Sequence, residues 1–231
     1  TETLNILKEP QLKSPNLVMG LSGWMDGGNV STATIKYLID KLKARKIAEI
    51  DTSGFYIQNM PGSMELAALF RPHVTISNGS IISYKIPQNH FYCDSDSDLI
   101  LFLGHEPNIS WSDFSECIFD VCGKFSVKRI YFIGSVAGLV PHTRQPRISC
   151  SVSEKKLLDE MENFTMKFSD YDGPASIVTH MTNFADLNGV EMVNLVAEIP
   201  AYIQGHNPLC INNVAKRLAA ILKIKLDHED L

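Results

Sequence analysis

The chain has 231 residues, of which 45% are hydrophobic and 20% are charged. Its 21 Lys and Arg residues against 26 Asp and Glu residues give a formal net charge of −5 at pH 7. This composition is typical of a globular protein, and it lacks the excess of basic residues with which general nucleic-acid and anionic-membrane binders hold phosphate. No stretch approaches the roughly 18 uncharged apolar residues of a membrane span. We therefore expect neither nucleic acid nor a membrane as a partner.

The N-terminal segment and the cysteines indicate the compartment. Residues 1–15 include Glu2, Lys8, Glu9 and Lys13 and have no apolar core, so they do not resemble a signal peptide. The 5 cysteines form no Cys-x-x-Cys or Cys-x-x-His motif, which argues against a disulfide framework and a zinc site. Buried free thiols in a cytoplasmic protein are expected instead. Because the chain does not begin with Met, we expect a processed or trimmed N-terminus.

Four short apolar runs have the length and composition of strands buried on both faces. In chain order they are residues 17–21, 99–103, 130–133 and 192–197. Between and after them, apolar residues recur at the spacing of one helix face. These series are Ile35, Leu38, Ile39 and Leu42; Trp111, Phe114, Ile118, Val121 and Phe125; Ile177, Met181, Phe184 and Leu187; and Ile211, Val214, Leu218, Ile221 and Leu222. The alternation predicts an α/β fold around a largely parallel sheet, with Asn29 or Ser31 capping the first helix.

Between Asp51 and Tyr92 the pattern changes to short alternating segments. Asn78-Gly79 lies between apolar stretches at 74–76 and 81–84, which predicts a β-hairpin. We therefore expect a mixed sheet with an antiparallel portion. No linker rich in Pro, Gly or Ser divides the chain, and residues 1–231 are expected to form one domain.

A glycine-containing turn, Ser22-Gly23-Trp24-Met25-Asp26-Gly27-Gly28-Asn29, joins the first apolar run to the first helix. One interpretation is a phosphate-binding loop at a helix N-terminus. The motifs Gly-x-x-x-x-Gly-Lys-Ser/Thr and Gly-x-Gly-x-x-Gly are absent, however, and Asp26 would repel a phosphate. A tight turn with Trp24 packed over it is the favoured interpretation, and no cofactor is expected.

Further polar residues follow the other predicted strands. Because the carboxyl ends of parallel strands meet at one edge of a sheet, these side chains are expected to lie near one another. The candidate ligand or partner rim consists of Trp24, Asp26, His105, Glu106, His142, Arg144 and Tyr202. Such a rim is suited to acid/base chemistry or to binding a ligand or a protein partner. Alternatively, Arg144 forms a structural ion pair with Glu106 or Asp26. No catalytic residue is assigned, because Ser135 lies outside any Gly-x-Ser-x-Gly motif. No metal site is expected, because His-x-x-x-His and His-x-His pairs are absent.

An ordered series of motifs resembles the PAC2 family, which contains proteasome assembly chaperone 2 and its archaeal and bacterial relatives. The series is Gly23-Trp24-x-Asp26-x-Gly28, Arg71-Pro72, Gly104-x-Glu106-Pro107 followed by Trp111, Gly134, Pro141-His142-Thr143-Arg144, Tyr171-x-Gly173-Pro174, and Pro200-Ala201-Tyr202 with Asn207-Pro208. Each motif is weak alone, and the ordered set spans about residues 17–226, the expected core of the PAC2-like domain.

The resemblance implies a three-layer α/β/α sandwich around a mixed sheet, like that of purine nucleoside phosphorylases. It also implies a cytosolic chaperone that binds proteasome α subunits and forms homo-oligomers. Two features depart from the family pattern. Residues 228–231 lack the hydrophobic-Tyr-any tail that archaeal assembly chaperones can carry, so docking through such a tail is not expected. Gly27 follows Asp26 where the family commonly has Ala, a change expected to be harmless.

Three functions stay open at this point. The leading hypothesis is a non-enzymatic assembly or interaction protein. The second is an enzyme related to phosphorylases or hydrolases that acts on a nucleoside-type molecule. In this second hypothesis, phosphate would be held by His142, Arg144 and Arg147. A sugar hydroxyl would be held by Glu106 or Asp26. The third, an ATP-dependent carboxylate–amine ligase, lacks a Lys-bearing nucleotide loop.

Overall fold

The computed structural model describes residues 3–164, 166–202 and 205–226. The strands are β1 (Leu4–Ile6), β2 (Asn16–Ser22), β3 (Arg45–Ile50), β4 (His73–Ser77), β5 (Ser80–Lys85), β6 (Asn89–Asp94), β7 (Leu99–His105), β8 (Arg129–Gly138), β9 (Ile148–Val152), β10 (Lys167–Phe168) and β11 (Glu191–Pro200). The α-helices are α1 (Val30–Leu42), α2 (Met64–Ala68), α3 (Trp111–Phe125), α4 (Lys156–Glu162), α5 (Ile177–Phe184) and α6 (Pro208–Leu222). The chain end at 228–231, on which the tail comparison rests, lies outside the described residues.

A nine-stranded mixed sheet forms the centre of the fold, in the order β1-β3-β6-β7-β2-β8-β11-β9-β10. Its middle is parallel, because β2 pairs in parallel with both β7 and β8, and β8 pairs in parallel with β11. Each of the four apolar runs lies within one of these four strands. The expectation of buried parallel strands is confirmed.

Helices cover both faces of this sheet. Since successive residues of a strand point to opposite faces, Phe102 joins a core with α3 and α5, whereas Leu101 joins a second core with α1 and α6. On the first face Phe114 and Met181 are fully buried, and on the second face Leu38 is. The helical series therefore belong to two outer layers, which confirms the three-layer α/β/α sandwich. The third series was drawn too long, because Leu187 lies beyond the end of α5 and is exposed.

The hairpin at Asn78-Gly79 forms, but not within the main sheet. Strands β4 and β5 pair only with each other, in a separate two-stranded sheet. The antiparallel part of the main sheet comes from β1, β3, β6 and β9 instead. The expected mixed sheet is thus correct, and the strands assigned to its antiparallel portion are corrected.

The five cysteines are buried free thiols, as expected. In the described part of the chain, no helix combines the length and the apolar character that a membrane crossing requires.

Candidate functional site

The candidate rim lies at the carboxyl edge of the four parallel strands. Ser22 at the end of β2 is opposite His105 at the end of β7, and Gly138 at the end of β8 is opposite Pro200 at the end of β11. Loops that leave one edge of a parallel sheet must share that edge. The seven predicted rim residues follow these four strands, but they fall into two groups.

Glu106 holds the turn that carries Trp24. Its Oε2 atom accepts the backbone N–H of Trp24 at 2.7 Å, and its own N–H donates to the carbonyl of Ser22 at 2.8 Å. The turn therefore binds the end of β7 through both the side chain and the backbone of Glu106. Trp24 is 67% exposed, so the prediction that it packs over the turn is wrong.

Asp26 supplies the capping side chain of helix α1, because neither predicted residue does: Asn29 at the N-cap position forms no side-chain capping bond, and the Ser31 hydroxyl donates to the carbonyl of Ile133. Its Oδ1 atom accepts the backbone N–H of Thr32 at 3.1 Å, and its Oδ2 atom accepts the Thr32 hydroxyl at 2.8 Å. Burial raises the pKa of this carboxyl, although the hydrogen bonds from Thr32 oppose the rise. The N-terminus of α1 is therefore satisfied by a carboxylate of the chain itself. This arrangement argues against the phosphate-loop interpretation, because a phosphate there would meet the Asp26 oxygens.

Ser135 joins the Asp26 turn to β8. Its N–H donates to the carbonyl of Met25 at 2.9 Å, and its hydroxyl donates to the carbonyl of Gly27 at 2.6 Å. The residue is fully buried. Ser135 thus positions the turn, and its geometry is not that of an exposed nucleophile.

His105 lies beside this turn and is held by its neighbours. Its Nδ1 atom contacts the hydroxyl of Ser22, and its carbonyl accepts the hydroxyl of Tyr56 at 2.8 Å. Buried Asn89 accepts both the N–H of His105 and the Tyr56 hydroxyl, each at 3.0 Å. Partial burial lowers the pKa of the imidazole, which favours its neutral form at neutral pH.

The second group of rim residues lies at the ends of β8 and β11. The Tyr202 hydroxyl accepts the backbone N–H of His142 at 2.7 Å and contacts the Nδ1 atom of the same residue at 2.9 Å. Arg144 lies with Arg147 and Glu198 around a small cavity of about 220 Å³. Among the described residues Arg144 forms no salt bridge with Asp26 or Glu106, the pairing considered from sequence.

Two features of this edge were not identified from sequence. The first is a large cleft beside β2 and β7, to which Lys36, Arg71 and Lys85 contribute. The second is the apolar character of the separate hairpin. The sequence showed a hairpin at the Asn-Gly turn and placed Arg71 in the motif series. Sequence spacing does not predict, however, that either segment lies beside the edge of the sheet. The described residues contain no group of three or more His, Cys, Asp or Glu side chains placed to hold a metal ion.

Comparison with known proteins gives a consistent family. A sequence model of the PAC2 family matches residues 20–231. A PAC2 family protein from Streptomyces avermitilis shares 22% identity and a TM-score of 0.79, over 94% of this chain and 89% of that one. A proteasome-assembly chaperone homologue from Mycobacterium tuberculosis has 22% identity and a TM-score of 0.79, over 93% and 88%. An archaeal proteasome activator from Pyrococcus furiosus has 20% identity and a TM-score of 0.72, over 99% and 91%. No curated protein matched the chain.

Proposed function

The chain belongs to the PAC2 family, and from this premise we propose that it is a chaperone-like interaction protein that binds proteasome α subunits or similar protein partners. Two structural relatives support the choice of partner, since one is a proteasome-assembly chaperone homologue and the other an archaeal proteasome activator. The proposal is that of a cytoplasmic, non-enzymatic protein, whose specificity comes from a surface rather than from a reactive group.

The observation that carries this proposal is the exposure of residues 57–88, which we call the arm. The arm contains α2 and the β4–β5 hairpin. In the hairpin Ile76 is 62% exposed, and Ile81, which lies opposite it on β5, is 67% exposed. The other exposed large apolar residues of the arm are Met60, Met64, Leu66, Leu69, Val74, Ile82, Tyr84 and Ile86.

Such a surface is costly unless a partner covers it. A two-stranded hairpin without a covered face is marginally stable in water. Contiguous exposed apolar patches on soluble proteins mark protein interaction sites, because their burial releases ordered water. The register shift leaves Ile82 without a Cα partner next to the Ile76–Ile81 pair, and Ile82 is exposed as well. We therefore assign the partner-binding role to the arm.

We also propose that the chain forms homo-oligomers, as expected from the family. Self-association and partner binding are separable by experiment, because mass photometry counts the copies of the chain without α subunits. An oligomer that persists in arm variants would place the contact between copies elsewhere on the surface and leave the arm available to the partner.

The test is native mass spectrometry of the purified chain mixed with proteasome α subunits at micromolar concentration. We expect a complex, and we expect the triple variant Ile76→Ser, Ile81→Ser and Ile82→Ser to weaken it at least about tenfold, since central apolar contacts dominate interface energies. The matched control is Leu187→Ser, which removes an apolar side chain 80% exposed outside the arm and should leave the complex unchanged.

A second measurement covers the case in which the triple variant loses the hairpin itself. A photoreactive phenylalanine at position 81 should crosslink the otherwise unchanged chain to an α subunit, whereas the same probe at position 187 should not. The absence of any complex with the unmodified chain would contradict the proposed partner. A complex of unchanged affinity in the triple variant would contradict the role of the arm.

A further inference from the structure

A cleft of about 880 Å³ separates the arm from the carboxyl edge of the main sheet. One wall comes from the sheet edge, through Ser22 at the end of β2 and His105 at the end of β7. The opposite wall comes from the arm, through Arg71, Tyr84 and Lys85. The volume lies within the range of roughly 300–1,000 Å³ that is usual for sites of small organic ligands.

The topology of the fold explains why a cleft opens at this place. Strands β2 and β7 are parallel neighbours, but β2 is followed by α1 on one face of the sheet and β7 by α3 on the other. Connections that leave adjacent strands toward opposite faces create a crevice at their carboxyl ends, where open α/β sheets bind ligands.

The charges around the cleft are predominantly positive. Lys36 of α1 and Arg71 and Lys85 of the arm line it, and Asp26 is the one carboxylate among the lining residues in the described part of the chain. The oxygens of Asp26 already accept two hydrogen bonds from Thr32.

None of these three cations forms a salt bridge within the described part of the chain. The Arg71 guanidinium donates to the Oδ1 atom of Asn59 at 2.9 Å, which fixes one of its donors and leaves others for a ligand. Lys36 also interacts electrostatically with the Asp26 carboxyl. Three cations around one cavity are stabilised by an anion that accepts from several directions.

We propose that this cleft binds a phosphorylated small molecule, with its phosphate oxygens held between Lys36 on the body and Arg71 and Lys85 on the arm. Phosphate suits this placement better than a single carboxylate, because it offers acceptor oxygens to donors on both walls at once. The half-buried rings of Tyr56 and Phe70, which also line the cleft, provide a surface for the organic part of the ligand. A bound phosphate joins the arm to the body and restricts the movement of the arm.

This site shares the arm with the proposed α-subunit surface, since Leu69, Tyr84 and Ile86 line the cleft, but it is distinct from the three isoleucines on which the α-subunit test rests. The lining of the cleft does not include Ile76, Ile81 or Ile82, which carry the apolar surface of the arm. Failure of the chain to bind α subunits therefore leaves the ligand proposal standing, and the converse also holds.

Isothermal titration calorimetry at low ionic strength tests the site with ADP, ribose 5-phosphate and pyrophosphate, and with adenosine as the uncharged comparison. We expect ADP or ribose 5-phosphate to bind at micromolar to millimolar concentration and adenosine not to bind. The double variant Lys36→Ala and Lys85→Ala should weaken binding by about tenfold or more, because charge-assisted hydrogen bonds are lost. Lys216→Ala, which removes an exposed cation of α6 outside the cleft, should leave binding unchanged.

Two results would overturn the site itself: no binding of any phosphorylated probe at millimolar concentration, or equal binding by the chain and the double variant. Pyrophosphate that binds more tightly than both organic probes would overturn the assignment to an organic phosphate.

Hydrogen exchange measured by mass spectrometry tests whether the bound ligand links the arm to the body. The tightest-binding probe should slow exchange in residues 57–88 of the unmodified chain but not of the double variant, and equal exchange with and without that probe would refute the link between arm and body.

Discussion

Gly23 and Glu106 approach so closely that no side chain fits between them. A Cβ atom added to Gly23 would lie 2.8 Å from the Cβ of Glu106 and 2.8 Å from its Oε2, the atom that holds the N–H of Trp24. Gly23 also has a φ of 134°, a backbone conformation that residues other than Gly rarely adopt. The closure of this turn therefore depends on glycine.

We predict that Gly23→Ala destabilises the fold by about 2–4 kcal/mol, because backbone strain of about 1–3 kcal/mol adds to the contact with Glu106. Urea unfolding followed by circular dichroism measures the change. The control is Gly123→Ala in α3, where an added Cβ meets no atom within 4 Å. That change should stabilise the protein by about 0.5–1 kcal/mol. A similar loss in both variants would contradict the role of the turn.

Arg129 links three elements at the opposite edge of the sheet. Its guanidinium donates to both Glu160 oxygens at 2.8 and 3.0 Å and lies 2.6 Å from Glu191 Oε2, with only 7% of its side chain exposed. Its Nη1 atom also donates to the Tyr131 hydroxyl at 3.0 Å. Burial and paired charges make this cluster a structural feature, separate from the rim.

We predict that Arg129→Ala costs about 3–5 kcal/mol of unfolding free energy, since it leaves Glu191 largely buried and short of a partner. The matched control is Lys156→Ala, which removes a 61% exposed cation that also contacts Glu191 at 3.1 Å. It should cost less than about 1 kcal/mol, because exposed ion pairs are screened by water. Urea unfolding measures both changes. If the two variants lose similar amounts of unfolding free energy, the burial of Arg129 does not explain its contribution to stability.

The sequence predicted the centre of the fold better than its edges. The four central strands are buried on both faces, so their apolar runs are continuous and easily recognised. Strand β3, with the sequence Arg-Lys-Ile-Ala-Glu-Ile, was missed because its outer residues are polar and the periodicity is short. The β4–β5 turn was recognised from Asn78-Gly79, but local turn chemistry does not specify which sheet a hairpin joins.

The candidate rim, like the fold, was predicted from the sequence only in part. The rule that parallel strands share a carboxyl edge placed Trp24, Asp26 and Glu106 together, since β2 and β7 are neighbours. It could not predict that Asp26 caps α1 through Thr32, six residues later, because the short 3-10 turn Gly27–Asn29 lies between them. Nor could it predict the cleft, whose cations come from segments far apart in the chain and meet only through the position of the arm.

The pKa of Asp26 gives a pH prediction. Burial raises this pKa above its ordinary value near 4, so the folded state binds the proton more tightly than the unfolded state. The contribution of Asp26 to stability is therefore fully present at pH values below the unfolded pKa, and it is lost as the pH rises through the folded pKa. Asp26→Asn keeps an acceptor for the N–H of Thr32 but does not titrate.

We thus expect the unfolding free energy of Asp26→Asn, taken relative to the unmodified chain, to increase from about pH 4 toward neutral pH. Urea unfolding of both proteins over this range measures the difference. A difference independent of pH, or one that moves in favour of the unmodified chain, would contradict the assignment.

The cysteines provide a test of the two cores. Burial raises the pKa of Cys150 to about 11 and that of Cys210 to about 12, and all five thiols are buried. Because the thiolate is the reactive form, we expect the native chain to react with Ellman's reagent at pH 8 only as fast as the structure opens. All five thiols should react at once in denaturant, and Leu187→Cys, at a site 80% exposed, should add one fast thiol to the native chain. Fast reaction of any thiol in the unmodified native chain would contradict the burial of that cysteine.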